Sequence, residues 1–396
     1  MLTIQRFDPS PCGFPPPRVA VLPQPEAAAF RVRRYKQDAG LHWYARARYA
    51  LTDAYRLCGL DRGGVLIAPS YHCRTMIDPA LAVGSQVQLY RLTADLAPDL
   101  ANLLPMLADR RDRPRALLVS HFFGMVQALD RVAAACAEHD VALIEDCSHA
   151  LPGRMVPGAG NPLGEVGDFG VASPYKFFAC PDGGLLWSKR QALPPAPLRT
   201  ADWTCELRAA AACMHSLTRR SLRLAAAPAR SRPADPLALG HAEGRVWEEQ
   251  STDPSVQYDR HGESTACLRV SRSIVAHTDV GQLVSRRRAN YQTWATRVRG
   301  LRHCRALFPV LHNDCTPYMF ALLLDRPETD FSRLKRLGMP MWRWDEMARS
   351  ECPVAQRYRM ALVHLPCHQS LSRGELDWMI GTVERVCDAP VDRSPA

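Results

Sequence analysis

The chain has 396 residues, 47% of them hydrophobic, and a formal net charge of +10 at neutral pH. That length and apolar content suffice for a sizeable core, in two domains or one large one. No apolar run approaches the roughly 18 residues a membrane span needs, and the start MLTIQRFDPSPCGFPPP lacks a basic head followed by an apolar stretch, so a soluble cytoplasmic protein is expected.

The positive charge rests mainly on arginine and is spread along the chain, with no nucleic-acid-reading motif. An anionic small substrate drawn to a basic cleft accounts for it equally well, and neither nucleic acid nor membrane is expected as a partner. The 14 cysteines form no CxxC pair, so reduced core cysteines and no metal site are expected.

In chain order, Pro15 to Pro17 with Pro23 and Pro25 favour an extended, solvated arm over residues 1–30. Tyr49 to Leu60 predicts a helix, and Val65 to Ala68 a buried strand stopped at Pro69. Arg115 to Ser120 predicts a second strand, followed by a helix through Leu129, Val132, Ala133 and Cys136. VALIEDCSHA, Val141 to Ala150, has an apolar start and a polar end, the pattern of a buried strand with functional groups at its carboxyl end. Strands alternating with helices imply a parallel sheet covered on both faces.

After Trp187 the character changes to alanine-rich helical sequence around Ala209 to Ala212, then to an Arg/Pro/Ala-rich stretch, Ala225 to Arg245, expected as an insertion or linker. Order returns by Leu268. Val280 to Val298 predicts a long helix carrying Arg286, Arg287 and Arg288, and Tyr318 to Leu324 a strand. The expected division is an arm at 1–30, a large α/β domain at 31–200, a helix and insertion at 201–265, and a smaller α+β domain at 266–396.

One lysine, Lys176, lies in the apolar and aromatic run VASPYKFFACPDGG. An ammonium in such a run must reach water, pair with a carboxylate, or lose its charge through chemistry. Glu145 and Asp146 end a predicted strand about thirty residues earlier, and a doubly wound sheet gathers its active groups at such ends. A lysine that forms an imine and an aspartate that holds a pyridinium nitrogen are the pair a pyridoxal phosphate enzyme requires. A structural ion pair of Lys176 with Asp146, or a lysine snorkelling to the surface, fits the spacing as well.

Four stretches carry a resemblance: VLIAPSYHCRTMIDPALAVGSQVQLY, SHFFGMVQALDRVAAACAEHDVALIEDCSHALPG, GDFGVASPYKFFACPDGGLL and VHLPCHQSLSRGELDWM. In this order they resemble the DegT/DnrJ/StrS family of pyridoxal phosphate aminotransferases. The resemblance implies the aspartate aminotransferase type of fold (type I): a mostly parallel sheet sandwiched by helices, plus a smaller α+β carboxyl-terminal domain. It implies transfer of an amino group from a donor such as glutamate to a keto sugar nucleotide or another biosynthetic carbonyl compound, and a homodimer.

On the resemblance, Lys176 is similar to the lysine that bonds the cofactor aldehyde and moves protons, and Asp146 to the partner of its ring nitrogen. His149 falls near the cofactor's phenolic oxygen, and Ser173 matches a serine that hydrogen-bonds its phosphate. In YARARYAL, Arg46-Ala47-Arg48 replaces the family's Ser-Gly-Thr phosphate turn, with Arg48 at the threonine position, where a guanidinium can bind phosphate through two parallel hydrogen bonds. Cys73 takes the place of the aromatic residue that stacks on the ring, so either His72 beside it takes over that role or the stack is weaker. His121 and His368 are expected to be structural, and the Asp182-Gly183-Gly184 turn to shape the site. A lysine, where dehydratase members of the family have a histidine, favours transamination. The alternative is a catalytically silent or regulatory homologue.

Overall fold

The computed structural model describes residues 1–26, 40–109, 113–155, 163–225 and 244–388. The strands are β1 (Leu2–Asp8), β2 (His42–Tyr44), β3 (Val65–Pro69), β4 (Gln86–Tyr90), β5 (Arg115–Ser120), β6 (Ala142–Asp146), β7 (Phe169–Ala172), β8 (Gly184–Trp187), β9 (Arg245–Ser251), β10 (Cys304–Ala306), β11 (Met319–Leu324), β12 (Met347–Ala348) and β13 (Leu362–Pro366). The helices are α1 (Ala47–Leu57), α2 (Arg74–Ala82), α3 (Leu100–Ala108), α4 (Asp130–Glu138), α5 (Trp203–Ala225), α6 (Arg269–His277), α7 (Val280–Arg297), α8 (Pro327–Arg336), α9 (Pro353–Ala361) and α10 (Arg373–Cys387).

A seven-stranded sheet in the order β2-β8-β7-β6-β5-β3-β4 forms the frame. Strands β3 to β7 run parallel, while β8 pairs antiparallel with both β7 and β2 at one edge. The apolar strand runs divide by alternation: Val65, Ile67, Leu117, Val119 and Leu143 enter one core, whereas Leu66, Ala68, Ala116, Leu118 and Ile144 enter another with Ala50, Leu51 and Tyr55 of α1. Both faces of the central strands are therefore buried, which is why β3, β5 and β6 read as near-continuous apolar runs with polar residues only at their ends. The parallel direction brings the ends of β3, β5, β6 and β7 to one edge.

A smaller antiparallel sheet, β10-β11-β13, packs against α7, α8 and α10 through a third core. Trp294 stacks on Phe320 at 5.4 Å, and α10 opens with a capping box between Ser372 and Glu375. Among the described residues, no helix is long and apolar enough to cross a membrane.

The predicted elements appear within a few residues of their expected places. The N-terminal arm does not: Leu2–Asp8 is a strand between β9 and β12, with Ile4 fully buried. Its pairing partners lie more than 230 residues away, and the proline cluster begins only after it. Of the stretch expected as an insertion, residues 226–243 lie outside the described residues, and Arg245 already begins β9.

Candidate active site

The carboxyl ends of β5, β6 and β7 and the amino end of α1 converge on one cleft with about 480 Å³ of space, part of it open to solvent. Lys176, Asp146, His149, Ser173, Arg48 and Cys73 all line it. So do Arg46, Ser120, Ser148, Tyr175 and Trp344, which sequence reasoning did not single out as site residues, Arg46 apart from its mention in the altered turn.

Asp146 is the last residue of β6, 3% exposed, and its Oδ1 accepts the Ser148 backbone N–H at 2.9 Å. No described donor reaches Oδ2. Lys176 ends a short 3-10 turn after β7, closed by its own N–H to the Ser173 carbonyl at 3.1 Å. Its Nζ lies 5.3 Å from the Tyr318 ring centroid, and among the described residues it forms no ion pair with Asp146 or another carboxylate. The structural ion pair is thus not made.

His149 is buried between rings, with Tyr318 at 4.5 Å and Trp344 at 5.2 Å. Burial, reinforced by the Lys176 charge, holds its pKa well below the ordinary histidine value. The Phe123 backbone N–H approaches Nδ1 at 3.5 Å. A neutral ring accepting at Nδ1 carries its proton on Nε2, so Nε2 is a donor.

Helix α1 begins at Arg46 without a side-chain cap, leaving the first backbone N–H groups directed out of the helix end. Such an end attracts anions. Arg46 donates from Nη1 to the Pro181 carbonyl at 3.1 Å and lies over the Tyr175 ring, while Arg48 donates from Nη1 to the Gln257 carbonyl. Gly184 permits this arrangement. A Cβ there would come within 2.3 Å of the Arg46 carbonyl carbon and 2.4 Å of the Ala47 nitrogen. Gly183 adopts φ +138°, and Asp182 is held by Ser271 Oγ at 2.5 Å and the Leu268 N–H at 3.1 Å.

His72 departs from expectation. It is fully buried away from the cleft lining, with Nδ1 at 3.0 Å from the Pro69 carbonyl and Nε2 accepting the Ala348 N–H at 3.1 Å. Burial lowers its pKa to about 4. Both ring nitrogens serve the backbone, so its ring is not available to stack in the cleft; the aromatic rings there belong to His149, Tyr175 and Trp344.

His121 and Glu145 form a structural unit. Glu145 accepts from His121 Nε2 at 3.1 Å and from the N–H groups of Gly164, Val166 and Gly167 at 3.0, 2.7 and 2.7 Å. Burial pushes its pKa up, but the His121 hydrogen bond and charge and the backbone donors outweigh this and hold it below the usual value. Cys147 brings a third metal-ligand type within 4.8 Å of these two. With the carboxylate accepting four donors and His121 Nδ1 accepting the Gln127 N–H, those atoms have no lone pair left for an ion. His368 organises its loop, with Nε2 on the Ala20 carbonyl at 3.0 Å and Nδ1 on Ser370 at 2.9 Å.

Residues 45–196 match the model of the DegT/DnrJ/EryC1/StrS aminotransferase family. Over that segment the chain is similar to this family. Within the aligned part it is 29% identical over 141 residues to the L-glutamine:scyllo-inosose aminotransferase of Streptomyces griseus, covering 35% of this chain and 32% of that one. It is 30% identical over 126 residues to the L-glutamine:2-deoxy-scyllo-inosose aminotransferase of Micromonospora echinospora, covering 31% and 28%. The matches span about a third of these curated relatives. The crystal structure of DesV from S. venezuelae superposes with a TM-score of 0.58 at 17% identity, over 90% of this chain and 86% of that one. The fold is therefore the type I fold of the pyridoxal-phosphate-dependent aminotransferases, and pyridoxal phosphate is the cofactor of the family.

Proposed function

We propose that this protein is a pyridoxal-phosphate-dependent aminotransferase that takes an amino group from glutamate or glutamine and delivers it to a ketone on a sugar nucleotide or a related polyhydroxylated ring. The observation that carries this reading is the convergence of Lys176 and Asp146 on one cleft at the uncapped start of α1. The donor set suits the cofactor in charge. Arg46, Arg48 and Lys176 supply three cations against the single carboxylate of Asp146, the imbalance a dianionic phosphate would offset. The names of the glutamine-dependent inosose relatives support an amino acid donor and a cyclic polyol ketone as acceptor.

Pyridoxal phosphate, when bound, supplies an aldehyde that captures amino groups and a ring that accepts electrons from a bond broken at the α-carbon. Asp146 would keep a proton on the ring nitrogen through its open carboxylate oxygen, a charge-assisted contact in a largely water-excluded place. Lys176 would hold the aldehyde at rest and, once displaced, carry a proton to and from the α-carbon on its amine. His149, neutral with Nε2–H as donor, would hydrogen-bond the phenolic oxygen. Ser173, the α1 N-terminus and an arginine would hold the phosphate. The rings of His149, Tyr175 and Trp344 would exclude water around the reacting atoms. We take the enzyme to act in the cytoplasm as a homodimer, the arrangement the family resemblance implies.

The test is visible absorption of the protein with pyridoxal phosphate, followed by borohydride reduction and peptide mapping. A yellow band whose reduction labels Lys176, and which bleaches with glutamate or glutamine, is expected. Absence of the band, or labelling elsewhere with Lys176→Ala unaffected, would remove the reading.

A further inference from the structure

Arg287, in the middle of α7, is fully buried, and the groups that accept hydrogen bonds from its guanidinium are all neutral. A guanidinium has five N–H donors, and each finds an oxygen here. Nε donates to Gln369 Oε1 at 2.8 Å, Nη1 to the carbonyls of Pro317 and Tyr318 at 3.1 and 3.0 Å, and Nη2 to those of Lys176 and Phe177 at 2.9 and 3.4 Å. Gln369 closes the circuit, its Nε2 donating to the Phe177 carbonyl at 2.7 Å. The guanidinium carbon sits 4.7 Å from the Phe177 ring centroid. Burial lowers its pKa to about 10, so it remains charged at neutral pH.

A buried charge with no carboxylate beside it is costly unless every donor is satisfied. A surface-exposed or merely space-filling residue would not need this arrangement. What the five bonds achieve is to tie two backbone carbonyls of the Lys176 turn to α7 and to the turn before β11, elements that follow the turn by more than a hundred residues.

We propose that Arg287, assisted by Gln369, is a positioning residue that fixes the backbone carrying Lys176, so that the lysine amine enters the cleft from one place. Its consequence for turnover rests on the aminotransferase reading; its effect on the turn does not. The amides of Lys176, Phe177 and Phe178, bonded to Ser173 and Pro174 carbonyls at 3.1, 2.9 and 2.9 Å, report the state of that turn directly.

The experiment is hydrogen exchange by mass spectrometry on the full chain without cofactor, comparing the natural protein with Arg287→Met and Arg287→Lys. The Met variant should exchange amides of the 174–178 turn about tenfold or more faster, with β5 unchanged, and the Lys variant should fall between. Borohydride trapping of Lys176 with pyridoxal phosphate should slow in the same order. In turnover, kcat referred to the folded active sites, counted by end-point borohydride labelling of Lys176, should fall while KM for the amino donor stays; loss of folded protein would lower the number of sites and leave kcat per site unchanged.

A folded Arg287→Met protein with unaltered exchange in the turn would overturn the proposal. Should that variant fail to unfold cooperatively, Gln369→Met decides: faster exchange in the turn supports the assignment and unchanged exchange refutes it. If exchange accelerates yet the natural protein never bonds pyridoxal phosphate, the aminotransferase reading falls and the tie between Arg287 and the turn stands.

Discussion

Gly184 and Arg46 face each other so closely that a single added methyl group at position 184 would lie 2.3 Å from the Arg46 carbonyl carbon. Strand β8 thereby abuts the first turn of α1, and Gly183 donates its N–H to the Ala45 carbonyl at 2.9 Å beside it. The anion-attracting end of the helix is thus placed by a glycine on a neighbouring strand.

Gly184→Ala should therefore displace the start of α1, because the atoms in the way are backbone. Overpacking of this kind costs about 1–3 kcal/mol. Thermal unfolding should show the loss, and affinity for pyridoxal phosphate should drop more than affinity for pyridoxal. Equal affinity for both in the variant and the natural protein would mean that the helix end does not hold the phosphate.

The two arginines of that turn should behave differently. Arg48 is already committed to the Gln257 carbonyl and Arg46 to the Pro181 carbonyl, but Arg46 also lies over Tyr175 at the cleft. A hydrogen bond to a charged group contributes about 1.5–3 kcal/mol. Arg46→Ala should thus weaken pyridoxal phosphate binding by roughly ten- to a hundredfold with pyridoxal unaffected, and Arg48→Ala by less. Equilibrium titration of both forms of the cofactor checks this, and the reverse order would assign the phosphate to Arg48.

Buried neutral histidines should make the fold sensitive to acid. His72 has its pKa lowered to about 4 by burial, the Pro69 hydrogen bond opposing, and burial with the Lys176 charge lowers His364 to about 3. In the unfolded chain both protonate near the ordinary value of about 6.5. The sign follows: the unfolded state binds more protons below that value, so this contribution is present above pH about 6.5 and is lost as pH falls toward the folded values, by about 1.4 kcal/mol per pH unit per histidine. The urea midpoint should therefore fall steadily between pH 6.5 and 4.5. His72→Asn should flatten the slope by about one proton, and an unchanged slope would contradict the buried neutral state.

The large sheet was readable because its strands are buried on both faces and so appear as unbroken apolar runs, Arg115–Ser120 among them. Asp146 was readable as a cleft residue for a related reason, since it ends such a run where apolar sequence turns polar, and Lys176 because it is a lone cation inside an apolar and aromatic run. Trp344 was not, since it reaches the cleft from a segment nearly two hundred residues later whose PMWRWDE sequence has no period that points to a site. Strand β1 was missed because its partners are equally remote. With His72 and Cys73 the motif located the loop after β3 correctly, but adjacent residues point different ways. Only Cys73 lines the cleft, while His72 is held by the backbone of Pro69 and Ala348.

The division of labour between Asp146 and Lys176 can be separated by one substitution. In Asp146→Asn the side-chain oxygen can still accept the Ser148 N–H, which now holds Oδ1 at 2.9 Å, so the turn after β6 should keep its shape. What is lost is the negative charge, and with it the preference for a protonated ring nitrogen. The variant should still bind pyridoxal phosphate and still be labelled at Lys176 by borohydride. Its turnover should fall by about a hundredfold or more, the scale on which a positioned acid–base group contributes. Stopped-flow bleaching of the visible band by the amino donor gives the half-reaction rate directly. A variant that bleaches at the natural rate would show that Asp146 acts only as an anchor for the turn.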